Sequence, residues 1–275
     1  VRAFASGASP SALSDIYGAC GGREGAGRVL IVDGYDRWDT QGRGTSHPWA
    51  AWHGAVVASH GVAFDTCANE AAENATVALG DYAAVLWALG EESTDTESFS
   101  DTEQARVAAY LNAGGQLFVS GSEIAWDLGN RGSTTDQAFL QQYLKANFAN
   151  DDSSVYSVSG VSDTLFDGWW FAYDDGSRGI YYCDWPDVLT PAAGGAATLV
   201  YFETQQVAGI QYEGPFTTGG PTGRLVYFGF PFETIYSTST RTNLMARTII
   251  FFGDAPEDTP VVDITTANQT LAAGT

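Results

Sequence analysis

The stretch Gln116-Leu-Phe-Val-Ser-Gly-Ser-Glu-Ile-Ala-Trp-Asp-Leu128 decides how the chain is read. Gln116 to Val119 run at strand period into Ser120-Gly121-Ser122-Glu123, and a helix-like pattern follows at once. A strand that turns sharply into a helix through Gly and Ser leaves that Ser at the carboxyl edge of a sheet. Ligand crevices of open α/β sheets lie at that edge. The stretch therefore predicts an elbow at which Ser122 is either a nucleophile or simply a good turn residue.

The same grammar extends in both directions. Residues 28–34 form a nearly continuous apolar run, as a strand covered on both faces requires. A helix over 47–59 follows, with Ser46 as N-cap and Pro48 in its first turn. Residues 62–67 predict a strand, 69–79 a helix and 82–89 a third buried strand. Ser100 precedes a helix over 101–112 with Glu103 at the capping-box position, and Gly114-Gly115 stops it. Four β-α units with short connections call for a parallel sheet. After a helix over 135–148 the pattern changes. Residues 155–161, 165–173, 180–184, 198–202 and 208–212 alternate between Gly, Asp and Pro turns, which predicts antiparallel strands inserted into or extending the sheet over about 153–215. A buried strand over 224–230 and a helix over 237–251 close an α/β domain spanning 28–253.

Composition narrows the partners. Of 275 residues 44% are hydrophobic, enough for a full core, and 12 basic against 33 acidic residues give a net charge of −21. A phosphate-binding face needs clustered Lys and Arg, so nucleic acid and anionic membrane surfaces are excluded as expected partners. Lys145 is the single lysine. Cys20, Cys67 and Cys183 stand far apart without a CxxC, which argues against zinc. One disulfide with a spare thiol would suit an exported chain, and three buried thiols a cytosolic one. No run of 18 apolar residues predicts a membrane span. The first residues read as the middle of something longer.

The pattern from 28 to 253 resembles the class I glutamine-amidotransferase-like superfamily. The resemblance rests on Gly114-Gly115-Gln116-Leu117-Phe118-Val119, on Ser120-Gly121-Ser122-Glu123 at the elbow, and on Gly229-Phe230-Pro231-Phe232-Glu233 after a late strand. It implies a flavodoxin-like open parallel sheet with helices on both faces. It also implies a cysteine at the elbow and a late histidine, whereas this chain has Ser122 and, in the late segment, only Glu233. A serine elbow occurs in the peptidase E and cyanophycinase branch, but Gly-x-Ser-Ala-Gly differs from Ser-Gly-Ser-Glu-Ile. Glutaminase activity of the usual form is not expected.

The flanks read differently. Residues 1–22 form an N-terminal arm or resemble the last hairpin of a fibronectin type III domain, ending in a Gly-rich linker from Cys20. Residues 254–275 combine an acidic, proline-containing linker with a stretch resembling the first strand of a bacterial immunoglobulin-like repeat. Together they suggest a longer multidomain protein, secreted or at the cell surface, whose other domains are partners of this one.

Parallel strands bring Asp33, Glu91, Glu92, Ser122, Glu123 and Glu233 to one sheet edge, with Arg37 and Arg43 as local counter-charges. So many carboxylates require a cationic ligand or raised pKa values, although Asp and Glu also cap helices that follow strands. A nucleophilic Ser122 needs a base. His47 lies at the start of the first helix, and His53 and His60, seven apart, share a helical face. Each reads more readily as a packing or surface histidine. Tyr35, Asp36 and Trp126, with other loop aromatics, suit a carbohydrate that stacks on rings and hydrogen-bonds carboxylates, or else the core. Asp174-Asp175-Gly176-Ser177 and Asp151-Asp152-Ser153 leave calcium as a candidate ligand, but their spacing reads as turns. No other cofactor is expected, and no particular metal is indicated. The leading expectation is a hydrolase of an ester or amide in an extracellular polysaccharide or peptide. Its machinery would be Ser122 as nucleophile, His53 or His47 as base, and Glu123 or its neighbours in support. The alternative is a non-catalytic module that binds carbohydrate or scaffolds a surface protein.

Overall fold

A computed structural model describes residues 17–22, 27–37, 47–94 and 96–253. The flanking fragments expected at the two ends fall largely on 1–16 and 254–275, outside the described residues. In chain order the first half contains β1 (Ala19–Cys20), β2 (Arg28–Asp33), α1 (Trp49–Ala58), β3 (Ala63–Ala68), α2 (Asn69–Glu73), β4 (Ala84–Gly90), α3 (Asp101–Asn112), β5 (Gln116–Gly121) and α4 (Thr134–Gln142). The second half contains β6 (Ala146–Asn150), β7 (Ser157–Gly160), β8 (Trp170–Ala172), β9 (Val188–Pro191), β10 (Ala196–Tyr201), β11 (Val207–Pro215), β12 (Thr222–Phe228) and α5 (Thr238–Phe251).

Strands β3-β2-β4-β5-β12 form a parallel block in that order. Their alternation divides the core in two. Val29, Ile31, Leu86, Phe118 and Val226 face α1 and α5, while Leu30, Val32, Val85, Leu117 and Leu225 face α2, α3 and α4. Each such side chain at full burial contributes roughly 1.5–3 kcal/mol. Beyond β12 the sheet continues antiparallel through β11, β10, β7 and β8. The fold is an α/β, flavodoxin-like open sheet with an antiparallel extension.

Several boundaries differ from the sequence reading. The helix expected over 135–148 stops at Gln142, and 146–150 is strand β6, paired with β9. Lys145 takes φ 58, a left-handed conformation that no α-helix accommodates. The helix expected over 69–79 is only Asn69–Glu73, ending just before Ala75 at φ 60. Of 165–173 only Trp170–Ala172 pairs as a strand. Residues 180–184 form no strand. Asp174 captures the backbone N–H groups of Gly176, Arg178 and Ile180 at 2.7–2.9 Å and coils that segment into a loop. β9 and the short β1, antiparallel to β3 where a linker was expected, were not anticipated.

The Ser100 capping box is fully formed: Glu103 N–H donates to Ser100 Oγ at 3.2 Å, and Ser100 N–H donates to Glu103 Oε2 at 2.8 Å. Ser100→Ala is expected to lower unfolding stability by about 1 kcal/mol in urea titration without altering the fold. A loss below about 0.3 kcal/mol would contradict that role for the cap.

Candidate functional site

The elbow is built by close approach of two strand ends. Ser122 N–H donates to Gly90 O at 2.9 Å, drawing the end of β5 onto the end of β4. A Cβ on Gly121 would lie 2.9 Å from Leu89 Cβ and 3.0 Å from Gly90 O, so only glycine fits there. The chain then reverses through Glu123, whose φ is 61. Such a conformation costs a non-glycine residue on the order of 1 kcal/mol and persists only where surroundings enforce it. The expected helix is instead a π-helical turn over Trp126–Arg131. Its leading N–H groups are held from across the sheet: Asp187 accepts from Ala125 at 2.7 Å and Trp126 at 3.2 Å. Asp187 is fully buried, and burial raises its pKa well above the ordinary range.

At this elbow the serine points inward and the glutamate stands at the apex. Ser122 is fully buried, with its hydroxyl beside the Cys183 thiol. Glu123 accepts from Arg37 Nη1 at 3.3 Å and from Ser93 Oγ at 3.2 Å. Burial pushes its pKa up to about 7, against the opposing pull of Ser93 and Arg37.

The neighbouring carboxylates tie loops to the sheet edge. Glu92 Oε2 accepts the N–H groups of Asp36 at 2.5 Å and Arg37 at 3.1 Å. Burial pushes its pKa up to about 8 despite those bonds. Glu91 Oε1 accepts from Asp184 N–H at 2.5 Å, and its carbonyl receives Arg37 Nη1 at 3.3 Å. Asp36 Oδ2 accepts from Asn69 at 3.0 Å. Glu233 Oε1 accepts from Tyr181 Oη at 2.6 Å, and burial pushes its pKa up to about 7.

The histidines are engaged elsewhere. His53 Nδ1 lies 2.8 Å from Trp49 O, and its Nε2 stands 3.9 Å from Glu233 Oε2. Burial lowers its pKa to about 4, so it is neutral at physiological pH. His47 stacks on Tyr35 with centroids 4.3 Å apart and meets Tyr35 O through Nδ1 at 3.1 Å. His60 reaches Thr242 O on α5 at 2.9 Å. No described histidine hydrogen-bonds Ser122. Asp33 is buried at the end of β2, where its charge helps raise the Cys67 pKa. Trp126 lies outside the carboxylate group, packed on Phe148 with Arg131 6.0 Å from its ring centre. The three cysteines are free thiols.

The structure thus gathers Ser122, Glu123, Glu91, Glu92, Asp36 and Arg37 at the elbow and sets His53 and Glu233 beside them through Tyr181. Four contributors were not read from the sequence: Ser93, Tyr181, Cys183 and Asp187. Ser93 adjoins Glu91-Glu92 and could have been included on that ground. Tyr181 and Cys183 were hidden by reading their segment as a strand, and nothing local marks Asp187. Among the described residues no three His, Cys, Asp or Glu side chains are grouped to hold a metal ion. Asp174, Asp175 and Asp152 accept nearby N–H groups, as turn residues do. A cleft of about 560 Å³ opens beside the elbow turn, lined by Phe99, Asp127, Arg131 and Asp136 among others. None of the elbow carboxylates lines it.

No family profile matches the chain, and neither does any curated protein. Among solved structures it is similar to a GMP synthase-like protein from Thermoplasma acidophilum, at 13% identity and TM-score 0.52, over 84% of this chain and 96% of that one. The mmIFT52 N-terminal domain aligns at 13% identity and TM-score 0.49, over 84% of this chain and 99% of that one. A ThuA-like protein from Bacteroides uniformis aligns at 10% identity and TM-score 0.48, over 82% and 90%. The first of these supports the flavodoxin-like α/β fold and, at that identity, the fold alone.

The buried acids make stability depend on pH. Glu92, Glu123 and Glu233 have folded-state values of about 8, 7 and 7 against an ordinary 4.5. Between those limits the folded chain binds more protons than the unfolded one, so stability falls as pH rises. His53, lowered from 6.5 to about 4, costs stability only as pH falls below 6.5. The urea midpoint is therefore expected to drop between pH 6.5 and about 8.5, and Glu92→Gln to remove part of the drop. A level or rising midpoint would contradict the assignment.

Proposed function

We propose that the elbow is the working site of an exported hydrolase that cleaves an ester or amide of an extracellular polysaccharide or peptide, with Glu123 rather than Ser122 as the reacting group. The observation that carries this reading is the placement of Glu123 at the left-handed apex, in contact with Arg37 and Ser93. A carboxyl group whose pKa lies near neutrality populates both protonation states and suits acid–base work. In the proposed reaction the Glu123 carboxylate takes a proton from water as the water oxygen bonds to the acyl carbon. It then delivers that proton to the leaving oxygen or nitrogen as the acyl bond breaks, and the carboxylate is restored. Arg37 orients the carboxylate. A serine route lacks support, because Ser122 has no histidine within hydrogen-bonding distance and His53 is held by Trp49.

One observation favours a second reading, a non-catalytic module that binds carbohydrate or scaffolds a larger protein. Glu91, Glu92 and Glu233 are already used to hold loops, which is structural work.

A panel of acylated polysaccharides and peptides separates the readings. Glu123→Gln is expected to lower kcat by about 10²–10⁴-fold, while Ser122→Ala retains most activity and a fluorophosphonate leaves Ser122 unlabelled. Activity lost in Ser122→Ala together with labelling of Ser122 would overturn the Glu123 assignment. Glycan retention unchanged by Glu123→Gln, with no turnover of any panel member, would favour the binding module.

A further inference from the structure

We propose that residues 174–187 form a lid over the elbow, latched to the sheet edge by Glu233 and Glu91, and that it opens to admit substrate. This rests on the reading of the elbow as the working site.

The segment is pinned at both ends by buried aspartates. At one end Asp174 N–H donates to Thr234 O at 2.8 Å, and its carboxylate holds the N–H groups of Gly176, Arg178 and Ile180. At the other, Asp187 N–H donates to Gly229 O at 2.8 Å while its carboxylate holds the elbow turn. Between these anchors Tyr181 Oη donates to Glu233 at 2.6 Å and Asp184 N–H to Glu91 at 2.5 Å, while the Tyr181 ring packs on Trp49, Tyr182 Oη meets Tyr156 Oη at 2.7 Å and Pro186 O accepts from Ser153 N–H at 3.0 Å. The lid makes little regular pairing: an isolated bridge between Asp175 and Tyr182, the Cys183 N–H to Asp174 O bond at 3.3 Å and that Ser153 N–H to Pro186 O bond. Gly176 and Gly179 both have positive φ, 88 and 85, and supply the backbone freedom a hinge needs. Tyr182 and Trp185 face outward, 47% and 42% exposed, while Cys183 between them is wholly buried against Ser122. Ser122 and Glu91 beneath are also at 0% exposure and Glu123 beside them at 6%, so lifting the lid would open the surroundings of the elbow. The segment has few backbone pairings and is held chiefly by side-chain contacts, Tyr181 and Cys183 among the buried ones, which is the kind of hold that local opening can release ahead of global unfolding.

Cys183 reports the motion directly. Alkylation of the folded full chain with iodoacetamide, read for each cysteine by peptide mass spectrometry, compares Cys183 with Cys67, which is buried on β3 in the core that α2 covers. In the wild-type chain Cys183 is expected to react at least tenfold faster than Cys67, with a rate that low urea leaves unchanged, because only local opening is needed. Tyr181→Phe removes one latch and is expected to speed Cys183 by about tenfold with Cys67 unaffected. Glu233→Gln, which keeps an acceptor, should stay closer to wild type. Equal wild-type rates at the two cysteines, rising together with urea, would overturn the lid. So would a Cys183 rate that Tyr181→Phe leaves unchanged. The readout involves no turnover, so a failed lid and a failed Glu123 assignment give different results.

Discussion

A carboxylate taken out of water remains tolerable only where hydrogen bonds or a cation replace its hydration, or where it takes up a proton. The carboxyl edge of this sheet is organised by that condition. Glu91, Glu92, Glu123, Asp187 and Glu233 are each nearly or wholly buried, and each accepts from a group on another segment. Glu92 draws in the loop after β2, Glu91 and Glu233 draw in residues 174–187, and Asp187 fixes the elbow turn. The loops are ordered because the acids need donors, and the acids are buried because the loops close over them. The same exchange leaves Glu92, Glu123 and Glu233 with pKa values moved from the ordinary carboxylate range toward neutrality.

Within that arrangement the elbow separates two neighbouring residues. The bond from Ser122 N–H to Gly90 O and the absence of a side chain on Gly121 press β5 onto β4, and the reversal then falls on Glu123. Ser122 turns into the interior toward Cys183, and Glu123 stands at the apex with Arg37. The proposed chemistry follows from this one-residue placement more than from any motif, since the motif reads equally well with either residue at the tip.

Much of this was legible in the sequence, for identifiable reasons. The parallel strands announce themselves because strands buried on both faces must be apolar throughout, as 29–32 and 84–89 are. The Ser100–Glu103 capping box is a local device and is read locally. The gathering of acids followed from topology, because every strand of a parallel block ends at the same edge. What escaped depends on long-range partners. Nothing near Lys145 marks a left-handed residue, so α4 was read too long. Alternation at 180–184 reads as strand until Asp174 is seen to coil the chain leading into it and to claim the Ile180 N–H, leaving one isolated bridge at Tyr182. Seven-residue spacing of His53 and His60 aligns them on a helix, yet cannot say that His53 faces Glu233 while His60 reaches α5.

The central claim is that the elbow presents a carboxyl group that titrates near neutrality. The direct measurement is carboxyl carbon NMR of the chain labelled at glutamate, titrated with pH and with the Glu123 and Glu92 resonances assigned by Glu→Gln variants. The account predicts midpoints of about 7 for Glu123 and about 8 for Glu92. A Glu123 midpoint near the ordinary 4.5 would contradict it.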